Sequence, residues 1–345
     1  MSNVPVFVGL DYHQDSIQVC VVDQQGEVML NRSTGNDCQE VSRLVAPLGR
    51  VEHVGIEACC GAADFGQKLA EQSGWKVSLG HPGYIAKLKS SPDKSDYSDG
   101  RLLADLTRVG YLPRVWLAPQ NIRELRQLVN HRQRLADRRR ALKLQVGAIL
   151  REQRVKIGSD RGGRWSKTWV SSVRDNPQLS KHVRWIANDL LDDMTYTDRK
   201  IAKTEARLRQ ATRGDEVVKR LMDQEGVGEV TAWTFRAYIG DFSRFKTAKQ
   251  LSRYCGLSPC NASSGRKVAD AGLIDGCNKL LRMTVVQAAH RLMRTSDRWN
   301  KLAASMRSRG KHACVIAGAV GNRWLRKLHH IMRGPAIKQE ATSGK

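Results

Sequence analysis

Residues 6–23 read VFVGLDYHQDSIQVCVVD, two apolar, β-branched runs separated by the short polar connection His13-Gln14-Asp15. Each run has the length and composition of a strand, and the tight gap predicts a hairpin. After Gln24-Gln25-Gly26, EVMLNRS (27–33) completes a meander of three strands. CQEVSRLVAPLG (38–49) then reads as a helix, HVGIEAC (53–59) as a short strand, AADFGQKLAEQSG (62–74) as a helix and WKVSLG (75–80) as a further strand. Three hairpin-linked strands followed by strand–helix units predict an α/β domain, a mixed sheet with helices on its faces. This is the order of a ribonuclease-H-like fold.

The acids fall at telling places on that plan. Asp11 ends the first strand and Glu57 ends the fourth. If those strands are parallel neighbours, the two carboxylates emerge side by side. SPDKSDYSDGRLLADL (91–106) adds Asp93, Asp96 and Asp99 just ahead of a helical pattern. Asp96 and Asp99 are three apart and share one face of the helix. Four converging carboxylates repel by several kcal/mol at low dielectric unless cations intervene. Mg²⁺ is the hard, oxygen-seeking ion for this task, and two ions roughly 3.5–4 Å apart can activate a nucleophile and stabilise a leaving oxygen at phosphate. Taken singly the acids have plainer readings. Asp96 could be a helix N-cap with Asp99 as a second dipole-favoured acid, and Asp11 and Glu57 could be strand-end turn residues. Their conjunction favours metal. Asp93 precedes the helix and Asp105 points elsewhere on it.

Such an acidic group stands out because the chain is basic, with 58 Lys and Arg against 34 Asp and Glu and a net charge of +24. That balance is the footprint of a nucleic-acid binder. A generic polycation would have no organised acidic site. The 345 residues allow two or three domains, and 41% hydrophobic content suits a globular protein. No apolar run reaches membrane-spanning length, and MSNVPVFVGLDYHQDS lacks the charged start and apolar stretch of a secretion signal, so a cytoplasmic protein is expected. Among the eight cysteines, Cys59 and Cys60 are adjacent, while Cys255 and Cys260 are spaced unlike a zinc knuckle and lack a histidine pair. Reduced, mostly buried thiols are expected.

From 120 to 155 the pattern becomes helical. Leu128, Leu135, Leu142 and Ile149 repeat every seven residues, Leu125 and Val146 lie on a companion seam, and Arg132 and Arg139 interrupt that seam. After the basic, glycine-rich KIGSDRGGRWSK (156–167), a second long helix over about 179–212 places Val183, Leu190, Met194, Ile201 and Leu208 near one stripe. The pair predicts an antiparallel arm or oligomerisation stalk, or else an ordinary bundle. Gly226-Val227-Gly228 between two helical stretches predicts a helix-hairpin-helix, or plain helix-pair punctuation. Three basic amphipathic helices follow between about 278 and 333.

The chain resembles the DEDD transposases of the insertion-sequence family one-hundred-ten, the bridge-RNA-guided recombinases. The resemblance runs through VGLDYHQDSIQV (8–19), GIEACCGAADF (55–65), SPDKSDYSDGRLLADLTRVGYLPRVWLAP (91–119), IRELRQLVNHRQRLADRRRALK (122–143), GVGEVTAWTFRAYIGDFSRFKTAKQLSRYCGLSP (226–259) and SSGRK (263–267). It implies a RuvC-like domain over 1–118 with the tetrad on Asp11, Glu57, Asp96 and Asp99, and a coiled-coil segment over 119–214. A helical transposase domain over 215–334 follows, with a flexible tail beyond 335. The family's serine-glycine step falls on Ser264 and Gly265, with Ser263 an adjacent competitor; without the resemblance this small loop reads as a linker. The implied reaction is RNA-guided exchange of donor and target DNA through a 5′-phosphoserine, with Mg²⁺ on the tetrad. Its implied partners are a noncoding bridge RNA, both DNAs and further copies of the chain, as dimers pairing into tetramers, the serine of one protomer meeting the tetrad of another. GLIDGCNKLLR (272–282) departs from the family, with Asp275 and Cys277 where lysine and glycine are common. Two other readings are a RuvC-type junction endonuclease without a covalent intermediate and a non-catalytic architectural binder.

Overall fold

A computed structural model describes residues 4–88, 95–158, 163–261 and 270–334. The chain divides into two compact units, residues 1–121 and 122–345. The first unit comprises β1 (Pro5–Tyr12), β2 (Ser16–Val22), β3 (Val28–Gly35), α1 (Cys38–Val45), β4 (Arg50–Glu57), α2 (Ala62–Ser73), β5 (Val77–Gly80), α3 (Pro82–Ile85), α4 (Asp96–Arg108) and β6 (Arg114–Val115). Its sheet has the order β3-β2-β1-β4-β5-β6. β1, β2 and β3 form the antiparallel meander, β1–β4 and β4–β5 are parallel, and β6 is antiparallel to β5. The mixed sheet expected from the strand and helix order is therefore present.

Strand alternation sorts the two faces. Val6, Val8 and Leu10 of β1 and Val54 and Ile56 of β4 pack with Val41 and Val45 of α1 and Phe65 and Leu69 of α2. The opposite face is covered by α4, whose Ala104 packs with Cys20 and Val22 of β2. Because both faces are covered, Ile17 through Val22 are all buried regardless of parity. Asp37 starts α1 by accepting the N–H groups of Gln39 and Glu40, and Gly74 ends α2 in a left-handed conformation.

The second unit contains most of α5 (Gln120–Glu152), then α6 (Lys167–Arg174), α7 (Lys181–Ala211), α8 (Glu216–Met222), α9 (Glu229–Tyr238), α10 (Ala248–Tyr254), β7 (Pro259–Asn261), β8 (Asp270–Leu273), α11 (Lys279–Thr295), α12 (Asp297–Ser308) and α13 (Ala313–Arg333). α5 and α7 run antiparallel, held by Arg132–Glu205 and Arg139–Asp198 pairs, each at 2.9 Å. The arginines that break the apolar seam thus have acidic partners on the facing helix. The buried stripe of α5 is Ile122, Leu125, Val129, Leu135, Leu142, Val146 and Leu150, whereas Leu128 and Ile149 are only half-buried. A straight helix of 3.6 residues per turn drifts away from a seven-residue repeat, so burial passes from one seam to the other.

The expectation of mostly buried thiols is corrected. All eight cysteines are free, but Cys59, Cys60 and Cys314 are exposed and Cys260 and Cys277 half-buried. Cys59 and Cys60 lie in the turn leaving β4, and Cys314 lies in the first turn of α13, outside either core. Among the described residues, no helix is long and apolar enough to cross a membrane.

Candidate active site

Leu10 of β1 pairs in register with Ile56 of β4, so Asp11 and Glu57 occupy the next positions on adjacent parallel strands. Alternation puts both on the face of Gly9 and Gly55, the face that α4 covers. The approach is close. A methyl group on Gly9 would fall inside 3.0 Å of the Gly100 carbonyl oxygen and the Ala104 nitrogen.

Ser95, not Asp96, caps α4, its hydroxyl accepting the Ser98 N–H at 3.2 Å. The capping reading of Asp96 is corrected by this, because the hydroxyl already satisfies the open N–H group. Asp96 is the first helical residue and stays exposed, whereas Asp99 is buried at 7% exposure. The first turn of α4 is pinned to the sheet. Gln18, the partner of Asp11 on β2, donates to Asn31 Oδ1 at 2.7 Å, and Asn31 Nδ2 donates to the Tyr97 carbonyl at 3.0 Å. Asp105 faces away, paired with Arg108 at 3.2 Å.

His13 lies between the two acids. Its Nε2 is 3.2 Å from Asp11 Oδ2 and 3.6 Å from Asp96 Oδ1. One ligating atom from each of Asp11, His13 and Asp96 falls within 4.8 Å of the others; Glu57 and Asp99 are not in that group. Burial pushes the Asp11 carboxyl above its usual range, His13 partly offsets this, and the charges of Asp99 and Asp96 raise it further. The carboxylates of α4 and β1 therefore act on one another electrostatically. A divalent cation fits this donor set of two carboxylates and an imidazole, and its charge would relieve the repulsion between the acids. His13 was not among the residues singled out from sequence. Its signal was the Asp-x-His spacing at a strand end, where the turn returns the chain through the His13 N–H to the Ser16 carbonyl at 2.9 Å. Ser264 and its neighbour Ser263 lie outside the described residues.

Both parts of the chain match transposase families. A DEDD-type transposase family matches residues 8–154, and the Transposase IS116/IS110/IS902 family matches residues 218–304. The chain is 26% identical over 320 residues to the transposase for insertion sequence element IS1111A of Coxiella burnetii, covering 91% of this chain and 86% of that one. It is 24% identical over 330 residues to the transposase for insertion sequence element IS1328 of Yersinia enterocolitica, covering 94% and 96% respectively. The mixed sheet, its acidic group and these matches define a DNA transposase, an enzyme whose substrate is DNA. The chain belongs to the IS110 family of DEDD transposases.

Proposed function

We propose that this transposase is an RNA-guided DNA recombinase that cuts and exchanges donor and target strands through a 5′-phosphoserine on Ser264, with Mg²⁺ held by Asp11, Glu57, Asp96 and Asp99. The observation that carries the reading is the meeting of Asp11 and Asp96 at the end of β1. When bound, Mg²⁺ supplies polarisation of the phosphate and of the departing 3′ oxygen. The chain's own part is placement. Asp11 is carried by a central strand, and Asp96 and Asp99 by a helix pinned through Asn31 and Gln18, so their oxygens are held on rigid elements.

In the cleavage step the Ser264 Oγ–P bond forms as the P–O3′ bond breaks. Serine gives up its proton and the 3′ oxygen leaves as a hydroxyl. The phosphate ester is conserved, so rejoining needs no nucleotide cofactor. Arg266 and Lys267 follow Ser264 closely enough in sequence to meet the phosphate charge. A noncoding bridge RNA supplies sequence choice by pairing with both DNAs, and the protein holds backbones. A cavity of about 440 Å³ at α12 and α13, lined by Arg298, Arg323, Arg326, Lys327 and His330, supports such phosphate contacts. Assembly into dimers and tetramers brings serine and tetrad to one phosphodiester, and the α5–α7 pair is an assembly element.

The test is denaturing electrophoresis after incubation with Mg²⁺, the flanking noncoding RNA and labelled donor and target DNA. Wild type is run beside Ser264→Ala, Ser263→Ala and Asp11→Asn, with and without RNA. A slow-migrating protein–DNA adduct that needs the RNA and is lost in Ser264→Ala and Asp11→Asn, but not in Ser263→Ala, is expected. Cleavage without an adduct, surviving Ser264→Ala but abolished by Asp11→Asn, would mean a junction endonuclease that uses water.

A further inference from the structure

Resting on the reading of Asp11 and Asp96 as metal ligands, we propose that His13 Nε2 is a ligand of the same ion, giving a mixed nitrogen–oxygen centre that holds transition-series divalent cations more tightly than Mg²⁺. Three observations carry this. First, ligands bound about 2.1 Å from one ion stand at most about 4.2 Å apart. His13 Nε2 is already inside that limit on both carboxylates, at 3.2 Å from Asp11 and 3.6 Å from Asp96.

Second, the same nitrogen faces both acids, so one cation placed among them meets three donors at once. Third, His13 is held at its backbone, and its ring turns Nε2 onto Asp11 Oδ2. Its N–H donates to the Ser16 carbonyl at 2.9 Å, and its carbonyl accepts from Asn36 Nδ2 at 2.9 Å. The side chain is 46% exposed, so the contact with Asp11, not burial, orients the ring, and a bound cation would take the place of that contact. An imidazole nitrogen is a borderline donor that favours first-row transition ions, whereas Mg²⁺ prefers oxygen throughout. A centre with one nitrogen among its oxygens therefore discriminates between these ions, which an all-carboxylate tetrad does less well.

The test uses the full chain with Mn²⁺ alone as probe, in wild type, His13→Ala and Asp11→Asn, each checked for native circular dichroism. Pulsed electron paramagnetic resonance reads whether ¹⁴N is directly bound, and competition titrations read Mn²⁺ and Mg²⁺ affinity. The expected result is nitrogen modulation in wild type that His13→Ala abolishes, with Mn²⁺ affinity falling about threefold, since Mn²⁺ itself accepts oxygen ligands well, and Mg²⁺ affinity falling less. If Mn²⁺ binds wild type and is lost in Asp11→Asn, but no nitrogen modulation is seen, His13 is not a ligand and the carboxylate site stands. If Asp11→Asn leaves Mn²⁺ binding and its spectrum intact, the carboxylate reading and the proposal built on it both fail.

Discussion

Gly9 of β1 and Gly100 of α4 meet backbone to backbone, so closely that a methyl group on Gly9 would fall inside 3.0 Å of the Gly100 carbonyl oxygen. Gly100 follows Asp99 directly, so this contact sets the depth at which Asp96 and Asp99 approach the sheet. Gly9→Ala must lift the helix or bend the strand. We expect a loss of about 2–3 kcal/mol in stability, read by thermal unfolding. DNA cleavage at a temperature where the variant remains folded should fall at least tenfold. Full cleavage by a folded Gly9→Ala chain would show that helix depth does not govern the site.

The acidic group itself is tested by charge removal. Asp11→Asn, Asp96→Asn and Asp99→Asn should each lower cleavage by about a hundredfold or more, as expected when several kcal/mol of charge stabilisation are lost. Chelation should abolish cleavage and added Mg²⁺ restore it. Asp105→Asn, on a residue paired with Arg108, should stay within about twofold of wild type. Equal losses at Asp105 and Asp99 would indicate helix damage rather than metal loss.

A pH dependence follows from His53, on β4. Burial, with Arg114 and Lys76 nearby, pulls its imidazole from 6.5 down to about 4, and its Nε2 meets Ser78 Oγ at 2.8 Å. The unfolded chain takes up this proton near 6.5 and the folded one only near 4. Stability from the neutral ring is therefore complete above pH 6.5 and is lost as pH falls toward 4, by up to about 3 kcal/mol. Urea unfolding between pH 7.5 and 4.5 measures the slope, and His53→Gln should flatten it.

The α5–α7 register rests partly on Arg132–Glu205, whose side chains are 18% and 22% exposed. Arg132→Glu alone should cost about 1–3 kcal/mol by leaving two like charges half-buried. The double reversal with Glu205→Arg should recover at least half of that loss in a double-mutant cycle. An additive cycle would exclude the pairing.

At α12 and α13, Arg323→Ala with Arg326→Ala should weaken DNA binding to a similar degree for every sequence. If both side chains contact phosphates, the salt dependence of log affinity should become shallower by about one per charge removed. Fluorescence anisotropy at several salt concentrations decides this, and an unchanged slope would place the phosphate contacts elsewhere.

Much of the first unit was legible in the chain because its signals are local. The hairpin gap after Tyr12, the alternation in VFVGLDY and the helical spacing after Asp96 each lie within a few residues, and together they put Asp11 and Glu57 at strand ends and Asp96 and Asp99 on one helical face. The transposase motifs were legible for the same reason, as contiguous runs in a fixed order. What only the structure decided is partly a choice between neighbouring residues and partly contact between groups far apart in the chain. Ser95 displacing Asp96 as cap is a choice between two adjacent polar residues that both suit the position. The exposure of Cys59 and Cys60 follows from the turn they occupy, not from their hydrophobicity. The place of His13 needed two events at once, a turn returning to Ser16 and a helix settling onto Gly9. Periodicity names the face a residue takes within its own element; which side chains then meet across elements is set by packing, and at this site by two glycines that let backbones touch.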